Sequence, residues 1–269
     1  MAEVPPTPVE PLLDYPALLA EALGSPAARS VAAGRFAQAM TQQSPLASDH
    51  GSHLLRPSNL GGCSLALAAA AHGLTDLPPS GDAQLVMDTG TLVGAWVAAL
   101  LDAVLPEGYF GHLERQVEYR GAPGSIDLLV VRAADLAAEV VEIKTTPGSG
   151  ALKPPHAAKP TQCLQAATYA LSPNVQPCER FTILTLGYHV GASRDGTPHP
   201  KMRADTYDPQ DWAREVDSEI DWLMQLSTIS RKDVLANAAE LADTEAAWRC
   251  ASCRFAACLR NTNPARFAL

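Results

Sequence analysis

The chain has 269 residues, with 20 Lys+Arg against 29 Asp+Glu and a net charge of −9. A protein that coats nucleic acid non-specifically gains affinity by neutralising phosphates and is usually basic. The balance therefore excludes a histone-like binder, but not an enzyme that meets phosphate at one cation-charged pocket. Hydrophobic residues at 47% and charged residues at 18% exclude a largely disordered chain. Apolar runs such as Leu65–Ala71 are far short of the ~18 residues of a membrane span.

The elements follow in chain order. Residues 1–10 are Pro-rich and are expected to be frayed or extended. Residues 11–43 read as one or two helices, with Leu12, Leu13, Leu18, Leu19 and Leu23 at helical spacing and Gly24-Ser25-Pro26 as a break. A polar loop covers 44–56. Pro57-Ser58 opens an apolar stretch through Cys63 to Ala71, with Ser58 as N-cap and Gly73 as the stop. A helix is predicted from Met87 to Val104, ended by Pro106-Glu107-Gly108. Strands are predicted over Leu113–Tyr119, Ser125–Arg132 and Glu139–Thr145, the last two as an antiparallel hairpin dense in β-branched residues. After a Gly/Pro/Lys loop, Gln162–Leu171 reads as helix and Phe181–His189 as strand. Asp211–Leu226 is an amphipathic helix with Trp212, Val216, Ile220 and Leu223 on one face, and Ala236–Trp248 is a further helix. A β-rich middle between helical ends predicts an α/β core.

Two constellations carry chemistry. Glu142 and Lys144 stand at i and i+2 on a strand and share a face, with Ile143 turned the other way. Asp127 can join them from the partner strand. Two carboxylates are the hard ligands that Mg²⁺ or Mn²⁺ takes, and a lysine beside them can orient water or meet charge on phosphorus. The same three residues could instead form an ion pair on a solvated sheet face. Downstream, Gln165 and Tyr169 lie at i, i+4 on one helix face.

The second constellation is cysteine. The chain begins Met1-Ala2-Glu3-Val4-Pro5-Pro6, with no basic region leading into an apolar run, so no secretory signal is expected. A reducing, cytoplasmic compartment follows, in which clustered cysteines more often hold metal than form disulfides. Cys250, Cys253 and Cys258 form a C-x₂-C-x₄-C cluster without a fourth local ligand, and Cys63 is the natural distant fourth. Four thiolates suit zinc or an iron–sulfur cluster. Cys163 and Cys178 read as free thiols.

Asp127, then Glu142-Ile143-Lys144, then Gln165-x-x-x-Tyr169, bracketed by one cysteine before and three after, resembles the RecB-like branch of the PD-(D/E)xK nucleases. Within it the chain is similar to the CRISPR-associated and phage-encoded iron–sulfur exonucleases, over about Pro57 to Arg260. The resemblance implies a restriction-endonuclease-like mixed sheet flanked by helices, with a helical iron–sulfur cap built from N- and C-terminal parts. It implies an organisation of 1–56 as an N-terminal extension, 57–249 as the nuclease core and 250–269 as the cysteine cluster. It implies that Asp127, Glu142 and the Ile143 carbonyl hold Mn²⁺ or Mg²⁺, that Lys144 is the catalytic lysine, and that Gln165 and Tyr169 contact DNA. It also implies a 4Fe–4S cluster on Cys63, Cys250, Cys253 and Cys258, single-stranded DNA ends as substrate, and recombination or CRISPR-adaptation proteins as partners in a bacterial or phage-infected cytoplasm.

One position departs from the family. Its usual metal-binding histidine stands four residues after a glycine on the helix before the strands. Here Gly90 is followed by Gly94, which implies a weaker metal site or a non-catalytic DNA- or partner-binding protein. His72, His112 and His156 are possible substitutes, each with surface or core as its plainer reading. Glu114 and Glu118 could add a carboxylate, and Arg56, Lys153 and Lys159 could touch phosphates; for all five, solvated charge is the default. The helix carrying Trp212 and Trp222 reads as core packing.

Overall fold

A computed structural model describes residues 6–42, 54–74, 81–147, 158–188 and 201–236. Among them, helices α1 (Tyr15–Gly24), α2 (Pro26–Gln42), α3 (Ser64–Ala71) and α4 (Gly81–Ala103) precede strands β1 (Tyr109–Tyr119), β2 (Ala122–Arg132) and β3 (Ala138–Pro147). Helix α5 (Pro160–Ala170), strands β4 (Cys178–Tyr188) and β5 (Lys201–Tyr207), and helices α6 (Ala213–Thr228) and α7 (Arg231–Ala236) follow. All but the first residue of the predicted Ala236–Trp248 helix and the cysteines at 250, 253 and 258 lie outside the described residues, as do Lys153 and His156. Among the described residues no helix is long and apolar enough to cross a membrane.

The five strands form one mixed sheet in the order β1-β2-β3-β4-β5. β1/β2, β2/β3 and β4/β5 are antiparallel and β3/β4 is parallel. A parallel neighbour needs a crossover, which α5 supplies. Helices cover both faces, and β3 and β4 accordingly carry apolar residues at both strand parities. On one face Leu128, Val130, Val141, Ile143, Leu184 and Leu186 pack with Val97, Leu100 and Leu101 of α4 and with Tyr15 and Leu19 of α1. On the other, Val140, Phe181 and Ile183 pack with Ala166 and Ala167 of α5 and with Val216, Ile220 and Leu223 of α6. The expected α/β class, with a mixed sheet flanked by helices, is the observed one.

Four local readings change. Residues 6–10 are docked: Val9 N–H donates to the Thr206 carbonyl at 2.8 Å, and Arg180 Nη1 donates to the Glu10 carbonyl at 3.0 Å. Ser58 is not an N-cap, because Pro57–Asn59 is a single 3₁₀ turn. The chain then turns through Gly61 at φ +65°, a left-handed conformation that glycine adopts without strain, and Cys63 caps α3. Strand β5 was not expected. Trp212 is buried as predicted, but Trp222 is 39% exposed and donates from Nε1 to Ser64 Oγ at 3.0 Å.

Candidate active site

Strand parity sets the site. Val141 and Ile143 belong to the α4 face of β3, so Glu142 and Lys144 stand on the α5 face. Lys144 Nζ donates to Glu142 Oε1 at 2.6 Å and to Gln165 Oε1 at 2.9 Å. Gln165 Nε2 in turn donates to Tyr169 Oη at 2.9 Å. The i, i+4 pair on α5 therefore ends on the lysine. Tyr169 is buried, its ring lying so close to Gly124 that a Cβ there would stand 2.4 Å from Tyr169 Cε1. Only glycine permits that approach.

Asp127 arrives from β2 at an irregularity. The β1/β2 ladder pairs Leu113 with Leu128 and Arg115 with Ile126, leaving Glu114 and Asp127 between them without a ladder pair. Glu114 has φ +50°, an uncommon conformation for a residue with a Cβ. The strands change face there: Leu113 and Leu128 pack towards α4, whereas Val117 and Ile126 pack towards α5. At this crossover Asp127 Oδ2 accepts from the Ile143 N–H at 2.7 Å. Glu114 Oε2 accepts from Ser125 Oγ at 2.9 Å.

The electrostatics follow from burial and crowding. Burial, then the charge of Glu142, pushes the Asp127 carboxyl well above the usual carboxylate range. Burial alone would depress the Lys144 ammonium, but Glu142 and then Asp127 outweigh it and raise its pKa. Tyr169 is raised by burial first and by Glu142 next, with smaller contributions from Asp127 and Glu114.

Glu142 is 3% exposed, yet its Oε2 is buried without a hydrogen-bond partner. A buried carboxylate oxygen left unpaired is costly, and a cation relieves that cost. The donor set fits a hard divalent ion through two carboxylates and a backbone carbonyl. Among the described residues no three Asp, Glu, His or Cys side chains converge closely enough to hold a metal by themselves. Water would have to complete the shell.

The position at which the resemblance implies a metal-binding histidine is Gly94. On α4 it lies between Gly90, whose added Cβ would meet Thr145 Oγ1 at 3.1 Å, and Asp102, whose carboxyl abuts Gly111. Gly94 is buried, and a Cβ built on it would meet nothing within 4 Å. Space for a side chain exists where this chain has none. His72 is committed elsewhere, its Nε2 lying 2.6 Å from the Ile229 carbonyl. His112 is exposed and packs edge-on against Phe110.

Cys63 is half-buried at the start of α3, and Cys63, Cys163 and Cys178 form no disulfide. Burial pushes the thiols of Cys163 and Cys178 up to about 12, as inert core cysteines require. Helix α7 packs against α3, so the chain leaves the described residues beside the helix that Cys63 caps.

Sequence reasoning overlooked one buried acid. Glu139, three residues before Glu142 on β3, is fully buried. It accepts from Leu12 N–H at 2.7 Å and from the Thr182 hydroxyl. Burial is the leading influence and raises its pKa, while those hydrogen bonds, Tyr15 and Arg180 oppose the rise. The signal was a charged residue in a β-branched run; its partners lie too far along the chain to be foreseen.

No family model and no curated protein matches this chain. Among solved structures, it is similar to an alkaline exonuclease, LHK-Exo, from Laribacter hongkongensis, with a TM-score of 0.42 and 15% identity, over 73% of this chain and 97% of that one.

Proposed function

We propose that this chain is a metal-dependent nuclease that hydrolyses phosphodiester bonds of DNA, working as an exonuclease on single-stranded ends. The observation that carries the reading is the unpartnered Glu142 Oε2, buried beside Asp127, with Lys144 on the other oxygen of the same carboxylate. An ordinary surface ion pair leaves no buried oxygen unmet.

Asp127, Glu142 and the Ile143 carbonyl would hold Mn²⁺ or Mg²⁺, which when bound polarises the scissile phosphate and lowers the pKa of an attacking water. Lys144 has three N–H donors. Two are fixed by Glu142 and Gln165, leaving one to orient the water or to meet charge on the phosphoryl oxygens. The Gln165–Tyr169 bond holds that ammonium in place, so both residues act through Lys144. Water adds to phosphorus as the P–O bond to the departing sugar breaks, giving a phosphomonoester and an alcohol.

Cys63, with Cys250, Cys253 and Cys258, would hold a 4Fe–4S cluster as a staple rather than a redox centre. Closing so long a loop restricts the unfolded chain. Zinc is the rival occupant, and an absorption band near 400 nm in anaerobically purified protein would separate iron from zinc. A second reading, a DNA-binding protein without turnover, is favoured by the empty space at Gly94.

End-labelled single strands incubated with Mn²⁺ or Mg²⁺ test the reading. Cleavage by the wild type and none by Asp127→Ala supports it. Strand binding without cleavage at any metal concentration favours the second reading.

A further inference from the structure

Strand register gives Lys144 a neighbour that the chemistry above does not use. The parallel β3/β4 ladder pairs Glu142 with Ile183 and Lys144 with Thr185. On β4, Leu184 and Leu186 pack towards α4 and Ile183 towards α5, so Thr185 stands on the α5 face beside Lys144. Neighbouring strands lie about 4.8 Å apart, within the sweep of a lysine's flexible four-carbon stem. Thr185 is 6% exposed, and its hydroxyl is buried without a hydrogen-bond partner among the described residues. On its other flank β5 places Arg203, whose Nε donates to Asp205 Oδ2 at 2.7 Å instead.

Two unmet oxygens therefore flank one ammonium: Glu142 Oε2 on the same strand and Thr185 Oγ1 across the ladder. An unpaired buried hydroxyl costs stability, and one kept in a native fold calls for a reason. Lys144 Nζ donates away from it, to Glu142 Oε1 at 2.6 Å and Gln165 Oε1 at 2.9 Å. The bond to Glu142 is an ion pair, strongest while nothing else neutralises that carboxylate. A divalent cation on Glu142 repels the ammonium and weakens the carboxylate as its acceptor. Gln165, being neutral, stays available to the lysine. Thr185 Oγ1 is a second neutral acceptor on the same face, and the Lys144 side chain, 25% exposed, has room to turn towards it.

We propose that Thr185 is a positioning residue for Lys144: when a divalent cation occupies Glu142, Lys144 passes one N–H from Glu142 Oε1 to Thr185 Oγ1 and keeps its bond to Gln165. Two of its three donors stay fixed, and the third still faces the water or the phosphoryl oxygens. The inference rests on the metal site of the nuclease reading and adds to it a residue of β4 that acts through the lysine.

The test is a double-mutant cycle on Mn²⁺ affinity, read on the full chain by calorimetry or by the electron paramagnetic resonance of the free ion. No DNA is present, so the result does not depend on turnover. Thr185→Val keeps the shape and removes the hydroxyl. It should weaken Mn²⁺ binding roughly 10-fold, the worth of one hydrogen bond to a charged group, and Thr185→Ser should restore it. In a Lys144→Met background there is no ammonium to rehouse, and adding Thr185→Val should change the affinity by less than about twofold. Metal-free Thr185→Val should melt at or above the wild-type temperature, because it loses only an unpaired hydroxyl. Thr182→Val should melt lower, because the Thr182 hydroxyl is bonded to Glu139. Wild-type Mn²⁺ affinity in Thr185→Val, or an equal loss in the Lys144→Met background, would overturn the proposal and leave the nuclease reading standing. A lower metal-free melting temperature in Thr185→Val would show the hydroxyl to be bonded and would overturn it too. Coupling of Thr185 to Lys144 in a protein that binds Mn²⁺ but never cleaves DNA would keep the proposal and remove the nuclease reading. A wild type that binds neither Mn²⁺ nor Mg²⁺ would overturn both.

Discussion

Strand β3 carries two buried glutamates three residues apart, and the protein treats them in opposite ways. Glu139 is enclosed at the base of the strand, where a backbone N–H from the N-terminal segment and the Thr182 hydroxyl, itself in contact with Thr206, close around its oxygens. Glu142 is enclosed at the β1–β2 irregularity, where one oxygen meets Lys144 and the other meets nothing. Burial costs both carboxylates their hydration. Glu139 has both oxygens met within the fold, which offsets part of that cost, and so acts as a structural clasp. Glu142 has one oxygen met and the other not, which is the expected condition of a residue kept for a ligand. Two acids on one strand thus differ in whether the fold supplies their hydrogen bonds.

The division can be broken most decisively at Glu142. Glu142→Ala should reduce Mn²⁺-dependent cleavage by at least ~10³-fold, since a metal ligand and the partner of Lys144 go together. Circular dichroism and the metal-free melting temperature should change little. Glu139→Ala should do the reverse. It strands the Leu12 N–H and removes the partner of Thr182, so thermal or urea unfolding should show a loss of roughly 2–5 kcal/mol. Cleavage per folded molecule, measured well below the melting transition, should stay near the wild-type rate.

Acidity sharpens the contrast. The Glu139 pKa is raised in the fold, so the folded state binds a proton more readily than the unfolded state does. Its contribution to stability is present at pH below the unfolded carboxylate value and is lost as pH rises through the raised folded value. Metal-free wild type should therefore lose stability across that window relative to Glu139→Gln, whose amide does not titrate. Parallel stability–pH curves for the two proteins would remove Glu139 as the source.

A smaller effect is expected at Gly94. Gly94→His places an imidazole into open space and should lower the Mn²⁺ concentration for half-maximal activity, roughly 3- to 30-fold. Gly94→Ala gains helix propensity, about 1 kcal/mol, and no ligand, so it should raise stability alone. Equal metal dependence in all three proteins would mean that Gly94 does not face the ion.

Much of this was legible in the residues. The β-branched residues of β3 and β4, the helical face of Val216, Ile220 and Leu223, and the shared face of Glu142 and Lys144 follow from local periodicity, because a strand or helix fixes which side chains travel together. What escaped depends on partners remote in sequence. Strand β5 reads Lys201-Met202-Arg203-Ala204-Asp205-Thr206-Tyr207, too polar to signal a strand, and it pairs only because β4 offers its edge. The Glu139 clasp needs Leu12, 127 residues away. The face change at Glu114 and Asp127 needs a left-handed glutamate that no composition rule anticipates. Gln165 and Tyr169 were legible as a pair, whereas their attachment to Lys144 required the sheet and α5 to be assembled.

The most direct test of the claim that Glu142 is kept for a cation is a Mn²⁺ titration of metal-free protein, read by calorimetry or by the electron paramagnetic resonance of the free ion. Wild type should bind Mn²⁺ at this site, and Glu142→Gln, nearly the same in shape but uncharged, should bind at least ~10-fold more weakly, with Glu139→Gln unchanged. Equal Mn²⁺ affinity in wild type and Glu142→Gln would contradict the account.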